Sequence, residues 1–127
     1  QLSVEVPPPL LRNLCEFLKT DPALAFDFLA DITCVDRYPV EPRFEVVCQL
    51  LSLQNATRLR LKVRLPGDNP RVDSLTGLWS GANWFEREVF DLFGIQFSGH
   101  PNLRRILMPD DWQGHPLRKD YPVEGYR

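Results

Sequence analysis

FEVVCQLLSLQNATRLRLKVRL, residues 44–65, is the stretch that decides how this chain folds. From Thr57 to Leu65 the residues alternate without a break: Leu59, Leu61, Val63 and Leu65 fall on one side, Arg58, Arg60, Lys62 and Arg64 on the other. Period-two alternation of this kind predicts a strand with one face in a core and one in solvent. Upstream, Phe44, Val46, Cys48 and Leu50 alternate with Glu45, Val47, Gln49 and Leu51. That strand is apolar on both faces and is expected to lie inside a sheet. Gln54-Asn55-Ala56 between the two runs predicts an antiparallel hairpin.

Toward the N-terminus, Leu2, Val4 and Val6 alternate with Ser3 and Glu5 and predict a short strand that stops at Pro7-Pro8-Pro9. Leu10, Leu11, Leu14, Phe17 and Leu18 then recur at helical spacing, predicting an amphipathic helix over residues 9–19. Thr20-Asp21-Pro22 is expected to cap a second short helix carrying Leu24, Phe28 and Leu29 inward. Ile32, Cys34 and Tyr38 are read as one side of the next strand, with a turn between Pro39 and Pro42. Beyond the hairpin, Pro66 to Pro70 is a turn cluster and Val72 to Thr76 a further short strand. Hairpin strands with few crossovers predict an α+β fold of two layers, a mostly antiparallel sheet with helices on one face. The expected division is a domain over residues 1–99 and an extended arm over 100–127.

The last helix lies in WFEREVFDLFGI, Trp84 to Ile95. Asn83 and Glu86 have the spacing of a capping box, and Gly94 suits the left-handed residue that closes a helix. At 100° per residue Ala82, Phe85, Val89, Leu92 and Phe93 share one arc, with Arg87, Glu88 and Asp91 on the other side. Trp84 and Phe90 miss that arc and imply a second contact surface. Arg87 and Asp91, four apart, are placed either to pair along the helix or to bond the returning chain.

From His100 onward there is no periodicity, only prolines at 101, 109, 116 and 122 that remove backbone donors and favour extended chain. Irregular segments this long are functional or disordered. Leu103, Ile106, Leu107, Met108, Trp112, Leu117, Tyr121 and Tyr126 make this one richer in apolar groups than solvated tails are, which predicts a strap laid on another protein.

With 127 residues, 43% of them apolar and 25% charged, the chain has the size and composition of one globular domain. A net charge of −2 gives no general attraction to nucleic acid or anionic lipid. No apolar run reaches the length of a membrane span, and no secretory signal is read at the start, where Gln1 is expected to follow a trimmed segment. Cys15, Cys34 and Cys48 show no CxxC spacing, so they read as core residues and not as cluster or zinc ligands.

Candidate sites are few. The cation column on residues 58–64 lacks interleaved aromatics, so a solvated face outweighs a nucleic-acid surface. His100 and His115, with Asp110 and Asp111, match no metal-ligand spacing, and a turn role suffices for histidines in Gly-His-Pro triplets. Glu86, Glu88 and Asp91 have no nucleophile or glycine cradle to complete a catalytic site. Arg104, Arg105, Arg118 and Lys119 sit near Asp110, Asp111 and Asp120, where guanidinium forks suit carboxylates and carbonyls.

The run WFEREVFDLFGI followed by GHPNLRRILMPDDWQGHPLRKDYP closely resembles the signature region of the 30 kDa subunit of respiratory complex I, the NADH:quinone oxidoreductase. FDFLADITCVDRYP, FEVVCQLLSL and SLTGLWSGAN extend the likeness in the same order, so it spans nearly the whole chain. The resemblance implies an α+β subunit of the peripheral arm that is structural and not catalytic, buttressing the quinone-reducing 49 kDa subunit and neighbouring cluster-bearing subunits. It implies that FMN, iron-sulfur clusters, NADH and quinone are handled by other chains, with no cofactor held here. The location implied is the cytoplasmic side of the bacterial inner membrane or the matrix side in mitochondria, with membrane contact only through the complex. Glu86, Arg87, Glu88, Asp91 and Gly94 carry the family motif. Expected subunit contacts are Trp84, Phe90, His100, Pro101, Arg104 and Arg105, then Trp112, His115, Pro116, Arg118, Lys119, Asp120, Tyr121 and Pro122. An equivalent subunit of a membrane-bound hydrogenase or a ferredoxin-dependent dehydrogenase is the second expectation, and a free nucleic-acid-binding module using the 58–64 cations a third.

Overall fold

A computed structural model describes residues 2–122, so Tyr126 and the last five residues of the arm lie outside it. Strand β3 (Phe44–Ser52) and strand β4 (Thr57–Leu65) form the predicted antiparallel hairpin, with Ser52 opposite Thr57 and Phe44 opposite Leu65. Strand β2 (Phe28–Asp36) pairs antiparallel with β3, and strand β1 (Leu2–Glu5) joins the far side of β4 in parallel. The sheet order is β1-β4-β3-β2, which makes β3 interior, as its two apolar faces require. Phe44, Val46, Cys48 and Leu50 are buried on one side of β3, and Glu45 and Val47 on the other.

The chain joins β1 to helix α1 (Leu11–Thr20) through a tight turn of 3-10 helix at Pro8–Leu10, where prolines fit because no helical donor is needed. Leu11, Cys15 and Leu18 of α1 enter the same core as Leu59, Leu61, Val63 and Leu65 of β4. Burial pushes the Cys15 thiol up to about 12, as it does Cys34, and drives Cys48 well above its ordinary value. The three thiols are free, Cys15 and Cys48 within the core and Cys34 partly buried against it.

The second short helix does not form. Asp21 Oδ1 accepts the Ala23 amide at 2.9 Å, an Asx turn that diverts the backbone, and Phe28 begins β2 with half its surface exposed. Tyr38 lies beyond the end of β2 and is exposed. The strand expected over Val72–Thr76 is shorter and earlier, β5 (Arg71–Asp73). It pairs in parallel with β6 (Gln96–Ser98), a strand too short to show periodicity, and the crossover between them is helix α2 (Ala82–Phe93). The fold is α+β, with a mixed four-stranded sheet, two helices, and this small parallel pair flanking α2.

On α2 the apolar arc is real: Ala82, Val89 and Phe93 are buried, and Phe85 and Leu92 pack against the core partly covered. Gly94 closes the helix at φ 81°, its amide bonding the Phe90 carbonyl at 2.8 Å. The capping box is absent. The N-cap residue is Gly81, and the Asn83 amide bonds the Ser80 carbonyl at 3.1 Å, because Glu86 is turned into the core.

Candidate functional site

Helix α2 carries two fully buried carboxylates, Glu86 beside the apolar arc and Asp91 on the side that periodicity alone assigns to solvent. They fasten different parts of the chain. Glu86 Oε1 accepts from Ser74 Oγ at 2.6 Å and Oε2 from the Leu75 amide at 2.7 Å, which ties the first turns of α2 to the segment after β5. Ser74 Oγ in turn accepts the Thr76 amide at 3.1 Å and meets Thr76 Oγ1 at 2.8 Å. The hydroxyl is therefore enclosed in a turn. Among the described residues no cation bonds Glu86, and burial outweighs its two donors and pushes its pKa up to about 7.

Asp91 is the anchor of the arm. Its Oδ2 accepts three consecutive amides, Ile106 at 3.2 Å, Leu107 at 2.7 Å and Met108 at 2.9 Å, while Oδ1 accepts from Arg105 at 2.8 Å. Burial alone would raise this carboxyl; the three amides and the Arg105 guanidinium outweigh it and hold it below the usual carboxylate range. Arg105 also reaches the Gly114 carbonyl at 2.5 Å, so one side chain closes the loop 106–114 at its base. Arg87 settles its two options in favour of the arm, donating to the carbonyls of Arg104 at 3.2 Å and Arg105 at 3.5 Å.

The end of α2 completes the clasp. Its last carbonyls have no intrahelical partners. His115 Nδ1 donates to the Asp91 carbonyl at 2.9 Å, the Leu117 amide to Leu92 at 3.0 Å, and Arg118 Nε to Phe93 at 2.6 Å. Burial, with Arg118 and Arg105 nearby, lowers the pKa of His115 despite its bond to Asp91. The His115 ring lies 6.1 Å from that of Phe90. A Cβ on Gly94 would meet Arg118 at 2.6 Å and His115 at 2.7 Å. Gly94→Ala is expected to cost about 2 kcal/mol or more, from the left-handed backbone and the displaced arm together, measurable by chemical denaturation.

A second anchor lies at the end of β2. Buried Arg43 forks onto Asp36 with both bonds at 2.8 Å and onto Asp120 at 2.8 Å and 3.4 Å, and the Lys119 amide donates to Asp36 at 2.7 Å. Burial would raise Asp36; Arg43 and the amides of Lys119 and Tyr38 outweigh it and hold it far below its ordinary value. Arg43 is raised, chiefly by its bonds to Asp36 and Asp120, and Asp120 is lowered by Arg43.

The two histidines serve opposite ends of α2. His100 Nε2 bonds the Asn83 carbonyl at 3.2 Å while its Nδ1 accepts the Asn102 amide at 3.0 Å, which fixes its tautomer. Their helix partners, Asn83 and Asp91, are eight residues or about 12 Å apart along the axis, so no ion can bind both rings. Among the described residues no group of three or more metal-ligating side chains comes together.

Much of the proposed contact set thus bonds within the chain, and a smaller part projects. Arg105, His115, Arg118 and Asp120 hold the arm to the body, and Tyr121 Oη reaches the Gln113 carbonyl at 3.4 Å. Trp84 is 53% exposed, Leu107 and Leu117 52% each, and Trp112 40%. Pro101, Arg104, Lys119 and Pro122 are exposed as well, and Pro116 is half-buried. On the cation column, Arg64 pairs with Glu45 at 3.4 Å and Lys62 lies opposite Glu5 in the register, so two of its four cations face a carboxylate. What sequence reasoning missed are Asp36, Arg43 and Ser74, whose roles depend on contacts across 77, 83 or 12 residues that no local spacing signals.

Comparison with known proteins bears on this architecture. The family described as "Respiratory-chain NADH dehydrogenase, 30 Kd subunit" matches residues 4–127. An NADH-quinone oxidoreductase subunit of Rhizobium meliloti (strain 1021) is 54% identical over 122 residues, covering 96% of this chain and 66% of the relative. Its counterpart in Roseiflexus sp. (strain RS-1) is 57% identical over 122 residues, 96% of this chain and 70% of its own length. The chain thus spans about two thirds of the length of these relatives. Among solved structures, one described as the trypsin-resistant fragment (1-134) of Nqo5 superposes with a TM-score of 0.72 at 39% identity, covering 80% of this chain and 81% of that one. A chain of an archaeal membrane-bound sulfane sulfur reductase superposes with a TM-score of 0.80 at 27% identity, covering 97% and 74%. No helix among the described residues is long and apolar enough to cross a membrane. With a family match over nearly its entire length and relatives identical at more than half their aligned positions, this chain belongs to the family of 30 kDa subunits of respiratory-chain NADH dehydrogenase.

Proposed function

We propose that the chain is a structural, non-catalytic subunit that braces its neighbours in the peripheral arm of an NADH:quinone oxidoreductase, on the cytoplasmic or matrix side. The quinone-reducing 49 kDa subunit and adjacent cluster-bearing subunits are the neighbours in this reading. Flavin, clusters and quinone then reside in other chains. The observation that carries it is Asp91. One carboxylate fixes the arm from Arg105 to Met108 on the body, and in doing so leaves Leu107, Trp112 and Leu117 turned outward where nothing in the described chain covers them. A segment held in its binding shape loses little entropy on docking, and exposed aromatic and aliphatic anchors supply most of the energy of an interface.

The chemistry available on the body agrees with this role. Glu86 and Ser74 look like an acid and a hydroxyl nucleophile, yet both are closed into hydrogen bonds inside the core. The chain purified alone is expected to show no NADH oxidation and no bound flavin or iron by absorbance and metal analysis. Removing it from the assembled enzyme is expected to abolish quinone reduction while hydride oxidation to an artificial acceptor persists. Turnover by the isolated chain would overturn the assignment.

The likeness to the sulfane sulfur reductase favours a second reading, the same bracing role in a related respiratory membrane complex. Its identity of 27%, against 54–57% for the quinone oxidoreductase subunits, places it second. A nickel-iron or sulfur-reducing large subunit among co-purified partners would support it.

A further inference from the structure

We propose that the loop over residues 106–114 is a docking knob, and that what it fits is an apolar socket with a cationic rim on a neighbouring protein subunit. The inference rests on the reading of the arm as a contact segment and adds the chemistry of its partner. The base of the loop is closed by Asp91 on one side and by Arg105, which bridges Asp91 Oδ1 and the Gly114 carbonyl at 2.8 and 2.5 Å. Its tip is a turn in which the Trp112 amide bonds the Pro109 carbonyl at 3.0 Å. Tyr121 braces it from behind, at the Gln113 carbonyl.

What this frame presents is one-sided. Leu107 and Trp112 project, 52% and 40% exposed, and between them lie Asp110 and Asp111, both exposed. The nine residues contain no lysine, arginine or histidine, and neither aspartate forms an ion pair with any described residue. Of the neighbouring cations, Arg105 is spent on Asp91 and Arg118 on the Phe93 carbonyl, and Arg104 forms no ion pair with either aspartate. An indole beside two unpaired carboxylates on a rigid turn complements an apolar cavity edged by arginine or lysine. The same acidic pair repels an anionic lipid surface, which excludes the membrane as the fitting partner.

The test uses the full chain in the assembled respiratory complex and measures its affinity for the complex lacking it, over a range of salt. Trp112→Ala is expected to weaken binding about tenfold or more. The pair Asp110→Asn with Asp111→Asn is expected to weaken it severalfold and flatten its salt dependence, and the pair Asp110→Lys with Asp111→Lys to weaken it further. The isolated variants should melt as the unaltered chain does, since these side chains project from the fold. Leu117→Glu, elsewhere on the arm, separates the two claims. If it weakens assembly while the tip variants bind normally, the knob is overturned and the strap survives; if none has an effect, both fall. Binding of the chain to anionic vesicles that depends on Trp112 and is unaffected by charge removal at the aspartates would also overturn the proposal.

Discussion

Replacing Asp91 with alanine is expected to destabilise the isolated chain by about 3–5 kcal/mol, the magnitude for removing one side of a buried charged network. For a domain of this size that is a fall in melting temperature on the order of 10–20 °C. The loss is large because the substitution orphans several groups at once: the amides of Ile106, Leu107 and Met108, and the Arg105 guanidinium that also holds Gly114. Asp91→Asn keeps the volume but removes the charge and presents a donor to donors, so it is expected to recover little. The same substitutions should prevent incorporation into the complex, because the outward side chains of the arm lose their frame. Differential scanning calorimetry of the purified variants measures the first effect and co-purification the second.

Stability should also respond to pH in an uncommon way. Glu86 has a folded pKa raised to about 7, above the ordinary carboxylate value of 4.5, so its native state holds a proton that the unfolded chain has released. Its contribution is fully present below about pH 4.5 and is lost as pH rises to about 7, a change of at most ~3 kcal/mol at 1.36 kcal/mol per unit. Asp36 and Asp91 act with the opposite sign. Their folded pKa values are depressed, so their stabilisation is present above the unfolded value and is lost as pH falls through the folded one. His115, lowered by burial, adds stability as pH rises toward 6.5 and partly offsets Glu86 over the same interval. The difference between the unaltered chain and Glu86→Gln isolates the Glu86 limb. That difference should change by up to ~3 kcal/mol between pH 4.5 and 7 in urea titrations and be flat above. A pH-independent difference would mean that Glu86 is ionised in the fold throughout.

The elements legible in the sequence were those with periodicity long enough to be read. Nine alternating residues define β4, and the doubly apolar β3 announces its interior position. Gly94 was legible because a left-handed helix end has few other solutions. Two of the errors, at Glu86 and Asp91, share one cause, a local rule overridden by a distant partner. Glu86 has capping-box spacing, yet Ser74 and the Leu75 amide offer it two bonds inside the core. Asp91 belongs to the polar side of the helical wheel and is wholly buried, because the chain returns over that side with three free amides. The second short helix had a good start in Asp21-Pro22, but the same aspartate stabilises a turn, and the following residues are taken by pairing with β3. Three-residue strands such as β6 show no period at all.

The arm shows where pattern reading stops. Its prolines predict extended, irregular chain, and its apolar content predicts burial against something. Neither says against what. The structure divides the answer by chemistry: backbone amides and arginines turn inward to Asp91, Asp36 and the helix carbonyls, while Leu107, Trp112 and Leu117 remain outside. Arg43 was invisible as an anchor because its partners lie 7 and 77 residues away.

Amide hydrogen exchange at Ile106, Leu107 and Met108 in the isolated chain tests the central claim, that Asp91 sets the arm in place before any partner arrives. These three amides should be protected to a degree comparable with those inside α2, and Asp91→Asn should release them while β3 and β4 stay protected. Exchange at the rate of open coil in the isolated chain, with protection gained only on assembly, would contradict it.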